Sequence, residues 1–169
     1  MSKNVFYLFT FLPFYLQNMS TFESNIKQIP HTQQAVYATL SDLSNLQVLK
    51  DGVEQNRDRL PKEALEHIDK LKDLTFDTDS LSIQAPMVGE IKLRIVEREE
   101  PKTIKFETEN SPITLNMWIQ LLPVTDTSCK MKLTVKGDIP FMLKAMVSKP
   151  LQEGVEKVAD MLAMIPYKD

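Results

Sequence analysis

Few side chains in this 169-residue sequence are of types that do chemistry, and their spacing points to no standard reaction. The two histidines, His31 and His67, have no cysteine or carboxylate at metal-ligand spacing on the same face. Both read as structural or solvent-exposed, and no metal is expected. Cys129 is the one cysteine, so an internal disulfide is excluded, and a reducing cytoplasm is the expected location. It reads as a small buried hydrophobe, because a nucleophile would need a base beside it and none is identifiable. The four glycines form no phosphate-cradling pattern, and no cofactor is expected.

The carboxylates Glu97, Glu99 and Glu100 and the lysines Lys130, Lys132 and Lys136 fall on turns or outward strand positions, where opposite charges pair routinely across strands. The net charge of −3 gives no electrostatic reason to expect nucleic acid. Polar residues that point inward would be more telling, since a buried polar group needs a partner. By parity these are Ser24, Thr108 and Asn116. Trp118 shares a face with Asn116 and reads either as core or as a pocket wall. Met142 and Met146, with Met161 and Met164 further on, either fill gaps or line an adaptable pocket. Phe22, Ile26, Phe106 and Val147 complete the set of candidate cavity residues.

These residues sit on a legible series of elements. Thr21 to Ile29 alternates as a half-buried strand, with Phe22, Ser24 and Ile26 on one face, and Pro30 ends it. Thr32 caps a short helix through Ala35, Val36, Leu40 and Leu43. A second runs over Leu43 to Leu49 and is closed by Asp51-Gly52. Glu54 to Arg59 reads as loop, and Pro61 opens a short amphipathic surface helix to Lys72. From Asp73 the period becomes two. Six strands follow, with turns at Asp77–Ser80, Pro86–Gly89, Glu99–Pro101, Ser111–Pro112 and Pro123–Ser128, a spacing that suits antiparallel hairpins. Asp138 is the expected cap of a closing helix, Ile139 to Ile165. There Leu143, Val147, Leu151, Val155, Val158 and Leu162 draw one apolar stripe, and Pro150 is expected to kink or divide it.

Residues 1–18 differ from the rest. Val5 to Leu16 is apolar and aromatic, yet too short for a spanning helix and broken by Pro13. The favoured reading is an upstream extension outside the fold, with the domain occupying residues 19–169 and starting at Met19. A signal or anchor segment and a packed element are the alternatives. No membrane span is expected.

The order of strand, two short helices, an insert, six antiparallel strands and one long helix predicts an α+β, β-α-α-β6-α architecture. In it a seven-stranded curved antiparallel sheet wraps a long C-terminal helix, the helix-grip fold. The chain resembles the START-like (SRPBCC, birch-pollen-allergen-like) superfamily. The opening Phe22-Glu23-Ser24 strand, the Val36-Tyr37 helix and the Leu40-Ser41-Asp42-Leu43-Ser44-Asn45-Leu46 turn look like its polyketide cyclase and dehydrase-like branch. The Gly-rich loop of the plant allergens is replaced by Asp77-Thr78-Asp79-Ser80, and the insert around Pro61 to Leu71 departs from the minimal pattern. The resemblance implies non-catalytic binding of a small hydrophobic molecule between sheet and last helix. Its alternatives are a cyclase or aromatase-like enzyme, and a protein-interaction domain with a filled core. The absence of a catalytic constellation leans the expectation away from an enzyme, and no oligomeric state is assigned.

Overall fold

The computed structural model describes residues 19–169 apart from 70, 71, 73, 86–88 and 112. The extension 1–18, the Pro86–Val88 turn residues, Leu71 and Pro112 lie outside the described residues. The chain opens with two short strands, β1 (Met19–Glu23) and β2 (Lys27–Ile29), both antiparallel to β8 (Ser128–Asp138). They occupy one position in the sheet, as two halves of an interrupted strand. Helices α1 (Gln33–Leu40), α2 (Ser44–Gln55) and α3 (Lys62–Asp69) follow, with a single 3-10 turn, Arg57–Arg59, between the last two. Then come β3 (Leu74–Phe76), β4 (Ser80–Ala85), β5 (Gly89–Glu99), β6 (Thr103–Glu109), β7 (Thr114–Thr125), β8 and the closing helix α4 (Phe141–Ala163). The sheet order is β1-β8-β7-β6-β5-β4-β3, seven positions running antiparallel around α4, which is the predicted helix-grip fold.

Alternation builds the sheet. Ile91, Leu93 and Ile95 of β5, Ile104 and Phe106 of β6, and Cys129, Met131 and Leu133 of β8 are all buried, because side chains two apart share a face. A bulge between Ile95 and Glu97 adds the local twist and bend that a curled sheet requires. Thr32 caps α1 as expected, its hydroxyl accepting from the Ala35 N–H at 3.1 Å.

Several expected boundaries shift. Helix α2 continues through Gly52 to Gln55, since a glycine within a helix weakens it without ending it. The expected loop at Glu54–Arg59 is therefore partly α2 and partly the 3-10 turn. Asp138 is the last residue of β8, not a cap, and Pro140 precedes α4 with no side-chain cap. Pro150 does not divide α4, which is assigned as one helix of 23 residues.

Interruption of the first strand has a clear cause. The Ser24 hydroxyl accepts from the Leu133 N–H at 3.0 Å and donates to the Asn25 carbonyl at 2.9 Å, so it stands in for a ladder bond at the break. Helix α4 grips the same spot. Gln152 donates to the Glu23 carbonyl at 2.8 Å, and Glu156 accepts from the Asn25 N–H at 2.8 Å. Lys27 pairs with Glu156 and, at 2.6 Å, with Asp160. Residues 152, 156 and 160 are spaced four apart and therefore lie on one face of α4.

Candidate functional site

The open volume lies where α4 stops covering the sheet. Helix α4 packs on β8, β1 and β2, α1 packs on β7 and β8, and α2 packs on β3. Between them is a cavity of about 610 Å³, within the range of small-molecule sites. It contradicts the filled-core alternative, which required a packed interior.

Each wall follows from local periodicity. Leu46, Leu49, Lys50 and Val53 line it from α2, an i, i+3, i+4, i+7 set that defines one helix face. Leu40 and Leu43, at the α1–α2 junction, are fully buried behind them. The sheet contributes cross-strand rows: Leu74 faces Ile83, Phe76 faces Leu81, Leu81 faces Leu93, and Phe106 faces Met117. From the end of α4 come Val158, Met161 and Leu162, followed by Met164, Ile165 and Pro166. Pro61 and Glu63, at the start of α3, complete the rim, so the supposed surface insert forms part of the pocket. Among the described residues, Lys50 and Glu63 are the only ionisable ones in this wall, and the others are apolar.

Two polar ties hold the frame. Arg98 donates to the Ser41 carbonyl at 2.9 Å and to Asp79 at 2.6 Å, joining the α1–α2 junction to the β3–β4 turn. Asp77 organises that turn, accepting from the Asp79 and Ser80 N–H groups at 3.0 and 2.7 Å and from the Ser80 hydroxyl at 2.6 Å. Those bonds, the Ser80 hydroxyl foremost, hold the Asp77 carboxyl below its ordinary range. At the other end, Tyr167 is buried and donates to the Leu162 carbonyl at 2.7 Å, and burial pushes its phenol far up. Asp169 accepts from the Thr32 N–H at 2.8 Å and lies 2.9 Å from His31 Nδ1. Together they fasten the tail that carries Met164 to Pro166.

The candidate residues read from the sequence are not brought together. Phe106, with Met161 and Met164, lines the cavity, and the others do not. Phe22 is buried in the core without reaching the cavity wall. Ser24 serves the strand break. Ile26 is 59% exposed, because the chain leaves the sheet between β1 and β2 and the parity of Thr21–Ile29 does not carry through. Thr108 is half-buried and its hydroxyl accepts from the Leu115 N–H at 3.0 Å, a bond within the sheet. Asn116 and Trp118 lie on the convex face, since Leu115, Met117 and Ile119 are the buried set of β7. Trp118 sits between the Lys105 and Lys136 ammonium groups, 5.5 and 5.9 Å from its ring centroid. Met142 and Met146 are 87% and 52% exposed, as α4 meets the core only from Val147, which is partly buried against it.

Other groups are accounted for. Cys129 is buried and desolvation raises its thiol. His31 packs edge-on against Tyr167, and the side chain of His67 lies outside the described residues. Among the described residues no group of three His, Cys, Asp or Glu is placed to hold a metal ion. No described helix is long and apolar enough to cross a membrane. Sequence reasoning missed the α2 face, the α3 rim and, beside Met161 and Met164, the Val158, Leu162, Ile165 and Pro166 part of the C-terminal wall. The i, i+3, i+4, i+7 spacing of Leu46, Leu49, Lys50 and Val53 was the signal available for the first.

Solved structures share this architecture at low identity. Norcoclaurine synthase from Thalictrum flavum matches with a TM-score of 0.56 and 12% identity, over 86% of this chain and 84% of that one. The same enzyme in complex with dopamine and hydroxybenzaldehyde matches with a TM-score of 0.55 and 13% identity, over 86% and 84% of the two chains. A START superfamily protein from Mycobacterium smegmatis gives a TM-score of 0.52 and 11% identity, over 86% and 94%. No protein-family model matches the sequence, and no curated protein matches it. Likeness at these identities establishes the fold and nothing finer. It also corrects the leaning away from an enzyme, because an enzyme is built on this fold and the missing sequence constellation therefore carries no weight against catalysis. The chain has the helix-grip fold that these solved structures share.

Proposed function

We propose that the cavity bounded by the sheet, α2 and the end of α4 takes up a small, largely aliphatic molecule, as ligand or substrate. The observation that carries this reading is the wall itself: about 610 Å³ faced by aliphatic residues and two phenylalanines, with charge, among the described residues, only at Lys50 and Glu63. A molecule rich in hydroxyls or carbonyls would leave its polar groups unpaired there, whereas an alkyl or isoprenoid-like body gains by burial. Native mass spectrometry of the protein from its own host, followed by thermal melts with aliphatic alcohols and acids, tests the reading. A ligand at one hundred times its Kd stabilises by about 2.7 kcal/mol, which for a chain of this size raises Tm by about 5–10 °C. No co-purifying molecule and no shift with any aliphatic probe would sink it.

A second reading, cyclase-type turnover of the bound molecule, is favoured by one observation. A cation and a carboxylate, Lys50 and Glu63, both reach the same pocket, where one could stabilise developing negative charge and the other accept a proton. Turnover of a carbonyl-bearing aliphatic substrate that falls about 100-fold or more in Glu63→Gln supports it. Turnover unchanged in both Glu63→Gln and Lys50→Met contradicts it.

A further inference from the structure

The two ionisable groups of the pocket are not equivalent. Lys50 lies on the pocket face of α2, one turn from both Leu46 and Val53, and is half-buried. Its ammonium donates to the Leu74 carbonyl at 2.6 Å and lies 3.5 Å from the Lys72 carbonyl. These contacts fix the ammonium where α2 meets the start of β3, beside Leu74 of the pocket wall. An ammonium carries three donors, so at least one remains for a molecule in the pocket. Carbonyl partners orient the group without cancelling its charge. Glu63 is exposed and sits in the first turn of α3. A half-buried, held cation discriminates between ligand heads more strongly than an exposed, solvated anion, because screening by water is weaker around it.

We infer that Lys50 selects for an anionic head, so that the preferred ligand is an amphiphile with an aliphatic body in the cavity and a carboxylate-like group at the Lys50 ammonium. This rests on the proposal that the pocket takes an aliphatic molecule, and it adds which end chemistry is read and by which residue. It also gives the Lys50–Leu74 contact two roles, tying α2 to β3 and presenting the charge.

Isothermal titration with dodecanoate, dodecanol and dodecylamine, each below its micelle concentration, tests the inference. Wild-type protein should bind dodecanoate about tenfold or more tighter than dodecanol, the scale of one charge-assisted hydrogen bond. Lys50→Met should bring the ratio of dodecanoate to dodecanol affinity to about one, and Lys50→Arg should retain the preference. A circular-dichroism melt of each variant confirms that it folds, and the wild-type ratio tests the inference even if Lys50→Met does not. Equal binding of acid and alcohol overturns the role of Lys50 while the pocket proposal stands. Tightest binding of dodecylamine also overturns it and assigns the head to Glu63. A preference for dodecanoate that survives in Lys50→Met also overturns the role of Lys50. Failure of all three probes in the wild type would instead count against the pocket proposal.

Discussion

Truncating two neighbouring core residues of β6 distinguishes a real cavity from a packed interior. Ile104 and Phe106 are both essentially inaccessible, at 0% and 1% exposure, and they project on the same side of the strand. Only Phe106 borders the cavity. Ile104→Ala deletes about three methylene-sized groups at about 0.8 kcal/mol each. It also leaves a closed hole of roughly 70 Å³ that costs about 24 cal/mol per Å³. The two terms give a loss of about 4 kcal/mol. Phe106→Ala forfeits about 3 kcal/mol of transfer energy, but its vacated space merges with a volume already empty, so the closed-hole term largely vanishes. The larger deletion should therefore cost less. Urea unfolding reads the difference: with a slope of about 2 kcal/mol per M, the midpoints fall by about 2 M for Ile104→Ala and about 1.5 M for Phe106→Ala. If Phe106→Ala costs 5 kcal/mol or more with an unchanged slope, Phe106 is packed on all sides and the cavity is not there.

Other outcomes follow from the same contacts. Gly137→Ala should destabilise by about 1–3 kcal/mol in urea unfolding, because its new methyl would lie 2.3 Å from Leu115 Cδ2 and 3.2 Å from the Thr114 carbonyl. Trp118→Ala should leave binding of an aliphatic probe unchanged, because the ring lies on the convex face with Lys105 and Lys136; a tenfold loss of affinity would return Trp118 to the pocket. The Glu156 carboxyl is held below its ordinary range, first by Lys27 and then by the Asn25 N–H. A depressed folded-state pKa contributes stability above the unfolded value that is lost as pH falls through the folded one. Wild-type stability should therefore decline below about pH 4.5, and Lys27→Met should flatten that decline in acid-unfolding curves; identical slopes would remove the clamp from the account.

How far the sequence could be read depended on how cleanly each element alternated. Strands β5, β6 and β8 set apolar residues against lysines, arginines and glutamates, so their inward faces were legible and the fold with them. Strand β7 is apolar on both sides at Met117, Trp118 and Ile119, so its parity is ambiguous in sequence, and Asn116 and Trp118 were assigned to the wrong face. The first strand misled at Ile26 because one side-chain hydroxyl, on Ser24, replaces a ladder bond and the register lapses. Met142 and Met146 continue the α4 pattern beyond the sheet that would bury them, which no helical spacing reveals. The site was harder still, since a cavity is where packing is absent. It arises from α4 resting on β8, β1 and β2 and leaving the β3–β6 side open, a matter of tertiary placement. Lys50 passed unremarked for a related reason: its meaning comes from the Leu74 carbonyl and the apolar wall, both remote in sequence.

The measurement that bears most directly on the central claim is a methyl NMR titration of the methionines with dodecanol. Met117, Met161 and Met164 line the cavity, whereas Met142 and Met146 are exposed on α4 away from it. The account predicts saturable shifts of the Met117, Met161 and Met164 methyl signals with Met142 and Met146 unmoved. Shifts confined to Met142 and Met146, or none at saturating probe, would contradict it.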